Sequence, residues 1–593
     1  MVLCGLVLIS CGFGGNGGDD GRSGVEAGEE DQIECAASAT EATSDVVRQI
    51  QRVVDYADWV ATSPRATGEE EPRCPADVPL RQLANQWLET GTVDLNDCDL
   101  EDDDIAKLME HPLFFMVMRE SSVLDLGENS DLSCDTAKRI AAYSAVRNLD
   151  ALKLENVRIE KCGVRKLATS EHLANLRKLN IHDSGMDSEG LSVFASSQHA
   201  MSNLEHLAIG HNGIQREQLF HAVSSEYFPR LRTLKVSVLG PVMPIWEPEP
   251  PEASNGLRPP PRLSLGYIFE AESLQSLEKL ALPQSGLTDE DVEDLVTSPL
   301  WGGLESLNLD DNRLSCEAID FMANAAETKR LKELSLASNS IRGCGLSYFG
   351  RENFQNLRHL DLSHNPLESD FSPEDLANYG LEEQAEMFAE DYVEDYPTYD
   401  LENLKELEVL LLARTYLDVE TVHDIGEVGI SENLTELDLD ENCMGPEVVE
   451  VMEDGGDWNN LEVLSVVRNG LQDGGFQTLI DMLDDAGNVR KLSAGKNELT
   501  EDSLKYLTER ADVSEQLDYL ELRSNDIGDE GLRTLAASWR YGEVEIDLRW
   551  NKLGTEAIEA VEAQTHRGHR GLSLRLAPRA TPDTLDARVS RRC

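Results

Sequence analysis

Acidic and histidine side chains whose spacing could ligate a metal ion occur at three places in this 593-residue sequence. The first, from Asp438 to Asn442, has the alternating carboxylates with which a calcium-binding loop begins. Such a loop needs glycine at its sixth position and glutamate at its twelfth, where this sequence has Cys443 and Val449. The sequence therefore predicts no calcium site here.

The other two places are groups of histidine and aspartate, residue types that bind zinc. Both groups alternate with apolar residues, so we interpret them as polar side chains on the surface of a sheet. The sequence contains no phosphate-binding glycine loop, zinc-protease helix motif or serine-hydrolase motif. It thus predicts no metal, no cofactor, no catalytic residue and hence no enzyme. The two groups are His182, Asp183, His206 and His211, and His359, Asp361 and His364.

All three places fall within one spacing that recurs along most of the chain. Leucine or a similar residue stands at the first, fourth and sixth positions, and asparagine stands at the ninth. This frame returns about every 27 residues, about sixteen times, and a fixed period of this length is typical of a solenoid. Its clearest copies are 304–312, 331–339, 357–365, 434–442, 461–469 and 517–525.

Each repeat contains the signals of a strand, a turn and a helix. The alternating leucines predict a short strand with one buried face, and the asparagine predicts a turn in which its amide bonds backbone groups. The residues that follow, such as 527–538 after Asn525, have apolar side chains three or four apart, which predicts an amphipathic helix. Thr, Ser or Asp before many of these helices, with acids in the first turn, fits N-capping and the helix dipole.

These motifs resemble those of the leucine-rich repeat family, and the period of about 27 residues resembles its ribonuclease-inhibitor-like subclass. The resemblance covers roughly residues 90–576. It implies an α/β solenoid of about 16 to 17 repeats, a curved horseshoe with a parallel sheet on the concave side and helices on the convex side. It implies little about function, because one such scaffold can bind unrelated partners.

Period and composition together divide the chain into five segments. We predict a signal segment at 1–11, a flexible linker rich in glycine and acids at 12–34, a helical cap at 35–89, the repeat domain at 90–576 and a basic tail at 577–593. A proline-rich insertion at 240–262 and an acidic insertion at 368–403 interrupt the repeats. Insertions in repeat proteins often lie on the binding side, so the acidic one is a candidate contact, with a solvated loop as the alternative.

The apolar residues before Cys11 are similar to the signal of bacterial lipoproteins, in which such a cysteine becomes lipidated. The segment Leu8-Ile9-Ser10-Cys11 carries this resemblance, although no Lys or Arg precedes it and the apolar stretch is short. An ordinary apolar N-terminus is the alternative. If Cys11 is lipidated, the protein meets the membrane only through this anchor.

Cysteine pairs at matching offsets are candidate disulfides. Cys35 and Cys74 bracket the predicted cap, while the other pairs occupy similar positions in adjacent repeats, where stacking brings α-carbons within bonding reach. Buried unbonded cysteines at turns are the alternative for those pairs, and Cys98 takes the place of a turn asparagine. The candidate pairs within the repeats are Cys134 with Cys162 and Cys316 with Cys344.

A net charge of −60 and a pI near 4.4 argue against nucleic acid or an anionic membrane as the main partner. Acid-rich helix starts and solubility account for this charge, and attraction of a basic partner is the alternative. On the face of the strands away from the leucine core, apolar side chains among polar ones are typical of a binding hot spot, with tolerated apolar surface as the alternative. These predicted partner-binding residues are Val409, Leu411, Val463, Val467, Tyr519 and Trp550.

The sequence therefore favours a monomeric, non-enzymatic scaffold that binds a protein partner on its concave face. We expect it to be exported and lipid-anchored at the bacterial cell envelope, at the outer membrane or the cell surface. The alternative is a cytoplasmic regulator of another enzyme, an inhibitor or GTPase activator like relatives of this repeat subclass.

Overall fold

The computed structural model describes Trp87 and residues 89–195, 202–223, 228–239, 265–367, 401, 403–539, 544–568 and 572–577. The chain divides into two compact units, Met1–Leu204 and Glu205–Cys593. The predicted signal segment, linker, cap, basic tail and both insertions lie almost entirely outside the described residues. The candidate sites at Cys11, Cys35 and Cys74 lie outside them as well.

In the first unit, each strand is followed in the chain by one or two helices. Its elements are β1 (Thr92–Asp94), α1 (Asp102–Glu110), α2 (Pro112–Glu120), β2 (Val123–Asp125), α3 (Cys134–Ala142), β3 (Ala151–Lys153), α4 (Glu160–Ala168), β4 (Lys178–Asn180) and α5 (Asp187–Ala195). Strands β1 to β4 pair in parallel and in chain order, each with the same three positions in register.

The strands of the second unit continue the same pattern. They are β5 (His206–Ala208), β6 (Ile214–Gln215), β7 (Thr233–Lys235), β8 (Val238–Leu239), β9 (Lys279–Ala281), β10 (Ser306–Asn308), β11 (Glu333–Ser335), β12 (His359–Asp361), β13 (Val409–Leu411), β14 (Glu436–Asp438), β15 (Val463–Ser465), β16 (Lys491–Ser493), β17 (Tyr519–Glu521), β18 (Val544–Asp547) and β19 (Leu572–Arg575). All except β6 and β8, which pair with each other, form one parallel sheet in chain order.

The helices of the second unit lie between these strands in the chain. They are α6 (Arg216–Val223), α7 (Gly266–Phe269), α8 (Asp289–Thr297), α9 (Cys316–Asn324), α10 (Gly343–Phe349), α11 (Val419–Glu427), α12 (Glu447–Gly455), α13 (Gln472–Ala486), α14 (Glu501–Glu509), α15 (Ala511–Gln516), α16 (Asp529–Ser538) and α17 (Thr555–Gly568). No helix among the described residues is both long and apolar enough to cross a bilayer.

Every three-residue strand buries its middle residue, and most of these strands leave both outer residues partly or fully exposed. Leu410, Leu437 and Leu464 are buried side by side in register on β13, β14 and β15. The neighbouring Val409 and Asp438 are partly exposed, as the period-two alternation predicts. We call the side that carries these outer residues the open face of the sheet.

The asparagine at the ninth position joins each repeat to the one before it. Asn442 is buried, and its amide nitrogen donates to the carbonyls of Leu439, at 3.0 Å, and of Leu412 in the preceding repeat, at 2.8 Å. Its amide oxygen accepts the N–H of Thr415, also in the preceding repeat, at 2.8 Å. Asn312, Asn339 and Asn525 make bonds of the same kind. The predicted turn bonds are therefore confirmed, and they also link neighbouring repeats.

Acids at helix starts form a second link between repeats. The carboxylate of Asp289 on α8 accepts the N–H and hydroxyl of Ser315, the N-cap of α9, at 2.8 and 2.7 Å. Asp473 on α13 does the same for Thr500, the N-cap of α14, at 2.8 and 2.7 Å. These acids therefore hold neighbouring helices together, in addition to the predicted role at their own helix N-termini.

Several cysteines in the repeats form disulfide bonds. Cys134 and Cys162, at the starts of α3 and α4, are joined by a disulfide with their α-carbons 5.9 Å apart. Cys98, Cys316 and Cys443 are disulfide-bonded as well. Cys98 thus does more than replace an asparagine, although its N–H still donates to Asn129 Oδ1 at 3.1 Å.

A buried ion pair links α6 and α8, which lie on either side of the proline-rich insertion in the chain. The guanidinium of Arg216 contacts both carboxylate oxygens of Asp291, at 3.1 and 3.3 Å. Both residues are buried, and Asp291 also completes the capping box at Thr288, the N-cap of α8. This bidentate pair joins two repeats through residues that are 75 positions apart in the sequence.

Candidate partner-binding surface

Three of the predicted contact residues lie close together on the open face. Val409 on β13 and Val463 on β15 both neighbour Glu436 of the intervening strand, and Leu411 neighbours Asp438. All three apolar side chains are partly exposed. We call Val409, Leu411 and Val463 the apolar patch.

The sequence predicts that Val467 contacts a partner, but the structure buries it. Its exposed fraction is only 6%, and its backbone N–H donates to the carboxylate of Asp440 at 2.7 Å. The reason is that β15 ends at Ser465, after which the chain turns and no longer alternates between the two faces. Val467 is therefore part of the core.

The two predicted aromatic residues lie farther along the sheet. Tyr519 on β17 is partly exposed and is separated from Val463 by Lys491 on β16. Trp550 is 53% exposed, and the guanidinium of Arg549 lies 5.2 Å from its ring centre. The structure thus places the predicted aromatic residues apart from the apolar patch.

Tyr416 is an exposed aromatic residue that the sequence analysis did not single out. It is 38% exposed and follows the turn residue Thr415, with a left-handed backbone at φ 58°. Because it lies beyond the strand, the alternation of the strand residues gave no signal for it. It therefore lies in the turn that follows β13, outside the strand positions on which the prediction was based.

Residues just before the turn position carry a left-handed backbone throughout the repeats. Arg414, Glu441, Arg468 and Lys496 have φ between 53° and 58°, and their side chains meet. Arg414, Arg468 and Lys496 approach the Glu441 carboxylate at 2.8, 3.2 and 3.6 Å. Burial opposes the charged form of Glu441, but Arg414 and the other cations outweigh it and lower its pKa. We call these four residues the charged edge.

Acids near the aromatic end are each paired with an arginine. Asp547 is buried, and Arg549 contacts its carboxylate at 2.6 Å. Burial opposes ionisation of Asp547, yet the hydrogen bonds from Arg549 lower its pKa. Glu521 is paired with Arg523, and burial raises the pKa of Glu521.

Asp438 and Asp440, beside the apolar patch, have a different environment. Their carboxyl groups are within hydrogen-bond contact of each other, and within the described residues no Lys or Arg makes an ion pair with either. Burial and the charge of Asp440 raise the pKa of Asp438 to about 7. Burial also raises the pKa of Asp440.

One group of possible metal ligands occurs in the part of the chain that the structure describes, and it lies on α11. The ligand atoms of His423, Asp424 and Glu427 are within 4.8 Å of one another. Glu427 is exposed, and acidic groups of this kind are common on protein surfaces without an ion, so we assign no metal to this group.

Two models of the leucine-rich repeat match the chain, at residues 516–536 and 356–379. The chain is 26% identical to human podocan-like protein 1 over 242 residues, covering 39% of this chain and 42% of that protein. It is also 26% identical to the ribonuclease inhibitor of Sus scrofa over 298 residues, covering 47% of this chain and 65% of the inhibitor. The chain thus spans less than two thirds of each relative.

Solved structures provide a third comparison. An internalin from Listeria monocytogenes aligns with 76% of this chain and 94% of its own, at 17% identity and a TM-score of 0.32. The yeast complex of Rad7 and Elc1 aligns with 92% of this chain and 97% of the other, at 15% identity and a TM-score of 0.34.

The matched repeats and the alternation of parallel strands with helices define the class of fold, an α/β leucine-rich repeat solenoid. Within this class, the chain has a distant similarity to ribonuclease inhibitor.

Proposed function

We propose that this protein is a non-enzymatic scaffold that binds a protein partner on the open face from β13 to β17. The observation that supports it is the apolar patch of Val409, Leu411 and Val463, which is partly exposed and bordered by charged side chains. Apolar contacts surrounded by polar ones are the arrangement in which a few residues supply most of the binding free energy.

The charged groups around the patch give the partner a defined orientation. The charged edge holds three cations around one carboxylate, whereas no Lys or Arg in the described part of the chain forms an ion pair with Asp438 or Asp440. A partner that complements both regions carries acidic and basic groups at separate places, with its basic groups directed at the aspartates. Because complementary charges mainly accelerate association, we expect the association rate to fall as salt is raised.

The placement is tested by adding charge to the patch. The triple variant Val409→Asp, Leu411→Asp and Val463→Asp is used as bait in affinity capture, beside the unaltered chain. A matched control, Ala208→Asp, Ala281→Asp and Ser306→Asp, adds the same charge to partly exposed positions of the open face on β5, β9 and β10. We expect the partner to be lost only with the first variant. Equal capture by both variants contradicts the placement.

We also propose that the protein is exported and lipid-anchored through Cys11 at the bacterial envelope. The lipoprotein-like residues before Cys11 support this, and so do the disulfide-bonded Cys98, Cys134, Cys162, Cys316 and Cys443, because such bonds persist in oxidising compartments. Metabolic labelling with radioactive palmitate is expected to mark the full chain and not the Cys11→Ser variant. Unlabelled protein in the cytoplasm contradicts this proposal.

Regulation of another enzyme is a second candidate, supported by the similarity to ribonuclease inhibitor over 298 residues. A fluorogenic RNA substrate cleaved by a pancreatic-type ribonuclease provides a direct test. Inhibition by the unaltered chain, reduced in the patch variant, favours this second candidate. Unchanged cleavage at a micromolar concentration of the chain excludes inhibition of that enzyme.

A further inference from the structure

Two polar residues, two positions apart, contact each other on the open face in the repeat of β10. Asn308 Nδ2 donates to the carboxylate of Asp310 at 2.5 Å, and the Asp310 N–H donates to Asn308 Oδ1 at 3.2 Å. The other carboxylate oxygen accepts the Ser335 hydroxyl at 2.6 Å and the Ala337 N–H at 2.9 Å. Both oxygens of Asp310 therefore have donors, one of which is the amide of Asn308.

The repeat of β14 makes the same contacts with one change. Asp440 Oδ1 accepts the Ser465 hydroxyl at 2.6 Å and the Val467 N–H at 2.7 Å. Its own N–H donates to Asp438 Oδ1 at 2.9 Å. Asp438 stands where the other repeat has an asparagine, and the two carboxyl groups are in hydrogen-bond contact. A carboxyl group can donate to a carboxylate only while it carries a proton.

The repeat of β18 shows how an ion pair can replace this proton. There Arg549 takes the place of Asp440, and its guanidinium pairs with Asp547 at 2.6 Å. Neither Asp438 nor Asp440 has such a partner among the described residues, since the cations of the charged edge are directed at Glu441. Two unprotonated carboxylates in contact would repel each other, and among the described residues no paired cation offsets that repulsion.

We propose that Asp438 and Asp440 share one proton and so form a proton-binding site on the open face, in which Asp438 donates to Asp440 as Asn308 donates to Asp310. Burial and the neighbouring carboxylate raise the pKa of Asp438 to about 7, so the proton leaves in the neutral range. Its loss adds a negative charge directly beside Leu411 of the apolar patch. This proposal goes beyond partner binding and does not depend on it.

Charged and titratable residues lie on the strands and turns that surround this pair. The negative charge of Asp361 raises the pKa of Asp438, and that of Glu441 raises the pKa of Asp440. Of the neighbouring cations, Arg414, Arg468 and Lys496 contact Glu441 at the charged edge, and Lys491 lies on β16, two strands away from Asp438 on β14. The charged and titratable neighbours are His359 and Asp361 on β12, Arg414 after β13, Glu436 and Glu441 in the same repeat, Arg468 after β15, Lys491 and Lys496 around β16, and Glu521 on β17.

The first test compares the full chain with its Asp438→Asn variant by potentiometric titration. We expect the unaltered chain to bind one proton more per molecule near pH 6, and this excess to disappear with a midpoint near pH 7. Because the folded chain holds a proton that a free aspartate has lost, its stability falls relative to the variant between about pH 4 and about pH 7. Urea unfolding at several pH values measures that fall. A midpoint below pH 5 overturns the proposal.

Two further variants separate sharing from burial. Asp440→Asn removes the second carboxylate and should also abolish the midpoint near pH 7; if Asp438 still titrates there, burial alone holds the proton and sharing is wrong. Asn308→Asp rebuilds the pair beside Asp310 and should add a second excess proton between pH 5 and pH 8. Absence of that proton in a folded Asn308→Asp variant shows that the contact is insufficient, which also overturns the proposal. Circular dichroism checks that each variant is folded.

Discussion

The two sides of the sheet in the second unit are built from the same strands but follow different rules. On the buried side, leucine follows leucine in register from Leu410 through Leu437 to Leu464, and the asparagine bonds recur with them. On the open face, the neighbouring position changes from Leu411 to Asp438 to Ser465. The buried side therefore holds neighbouring repeats together, whereas the residue type on the open face varies from repeat to repeat.

The largest loss of unfolding free energy is expected from breaking the buried Arg216–Asp291 pair. Arg216→Met leaves a buried carboxylate without its bidentate partner, which costs about 3–5 kcal/mol in the free energy of unfolding. The double variant Arg216→Met with Asp291→Leu removes both charges and should regain part of that loss, because Asp291→Leu also removes the capping box at Thr288. Urea unfolding measures both variants, and a single variant as stable as the unaltered chain contradicts a structural role for the pair.

Removing a ninth-position asparagine that links two repeats is expected to have the next largest effect. Asn442→Ala leaves the N–H groups of Thr415 and Leu417 without their acceptor and removes one of the two donors to the carbonyl of Leu412, at a cost of about 2–4 kcal/mol for several buried groups. The matched control is Asn433→Ala, because exposed Asn433 makes one bond to the carbonyl of Lys405. Its loss should be below about 1 kcal/mol by the same measurement. Equal losses of unfolding free energy in the two variants would contradict the role of Asn442 in linking repeats.

The sequence predicts the buried side well because it depends only on local spacing. The strand leucines and Asn442 follow from the period, and the structure confirms the fold class that this period predicts. Bonds between repeats, such as that of Asp473 to Thr500, depend on which helices lie side by side, and one repeat alone does not contain that information.

The open face is only partly predictable from the sequence. Val409, Leu411 and Val463 follow from alternation, but Val467 does not, because alternation stops where β15 ends. Asp438 and Asp440 are dismissed as a calcium loop on sequence grounds, and their contact becomes visible only when the side chains are placed. Tyr416 and the charged edge lie in the turns, where the side-chain direction is set by a left-handed backbone that the leucine period does not specify.

A smaller effect is expected where an acid links two helices at the surface. Asp473→Ala removes the bonds to Thr500 and Ser503, at a cost of about 1–2 kcal/mol at pH 7. Burial opposes the charged form of Asp473, but these bonds outweigh it and lower its pKa. Its contribution is therefore complete above the ordinary aspartate value of 3.8 and declines as the pH falls through the lowered value.

The control for Asp473 is an acid that starts a helix without linking repeats. Asp502 is exposed in the first turn of α14, so Asp502→Ala loses only its interaction with the helix dipole, about 0.5 kcal/mol. Urea unfolding at pH 7 and pH 3 should show a gap between the two variants that narrows in acid. A gap that widens in acid would contradict the assigned role of Asp473.

The smallest effect on stability is expected on the open face itself. Replacing Val409, Leu411 and Val463 by serine removes side chains that are already partly exposed, so each change costs less than about 0.5 kcal/mol. By contrast, Leu410→Ala on the buried side of the same strand creates a cavity and costs about 2–5 kcal/mol. Urea unfolding of the two variants compares the two sides of β13 directly. If the serine variant loses as much unfolding free energy as Leu410→Ala, the three side chains of the patch are part of the core. A stable serine variant that no longer captures its partner instead assigns those side chains to binding.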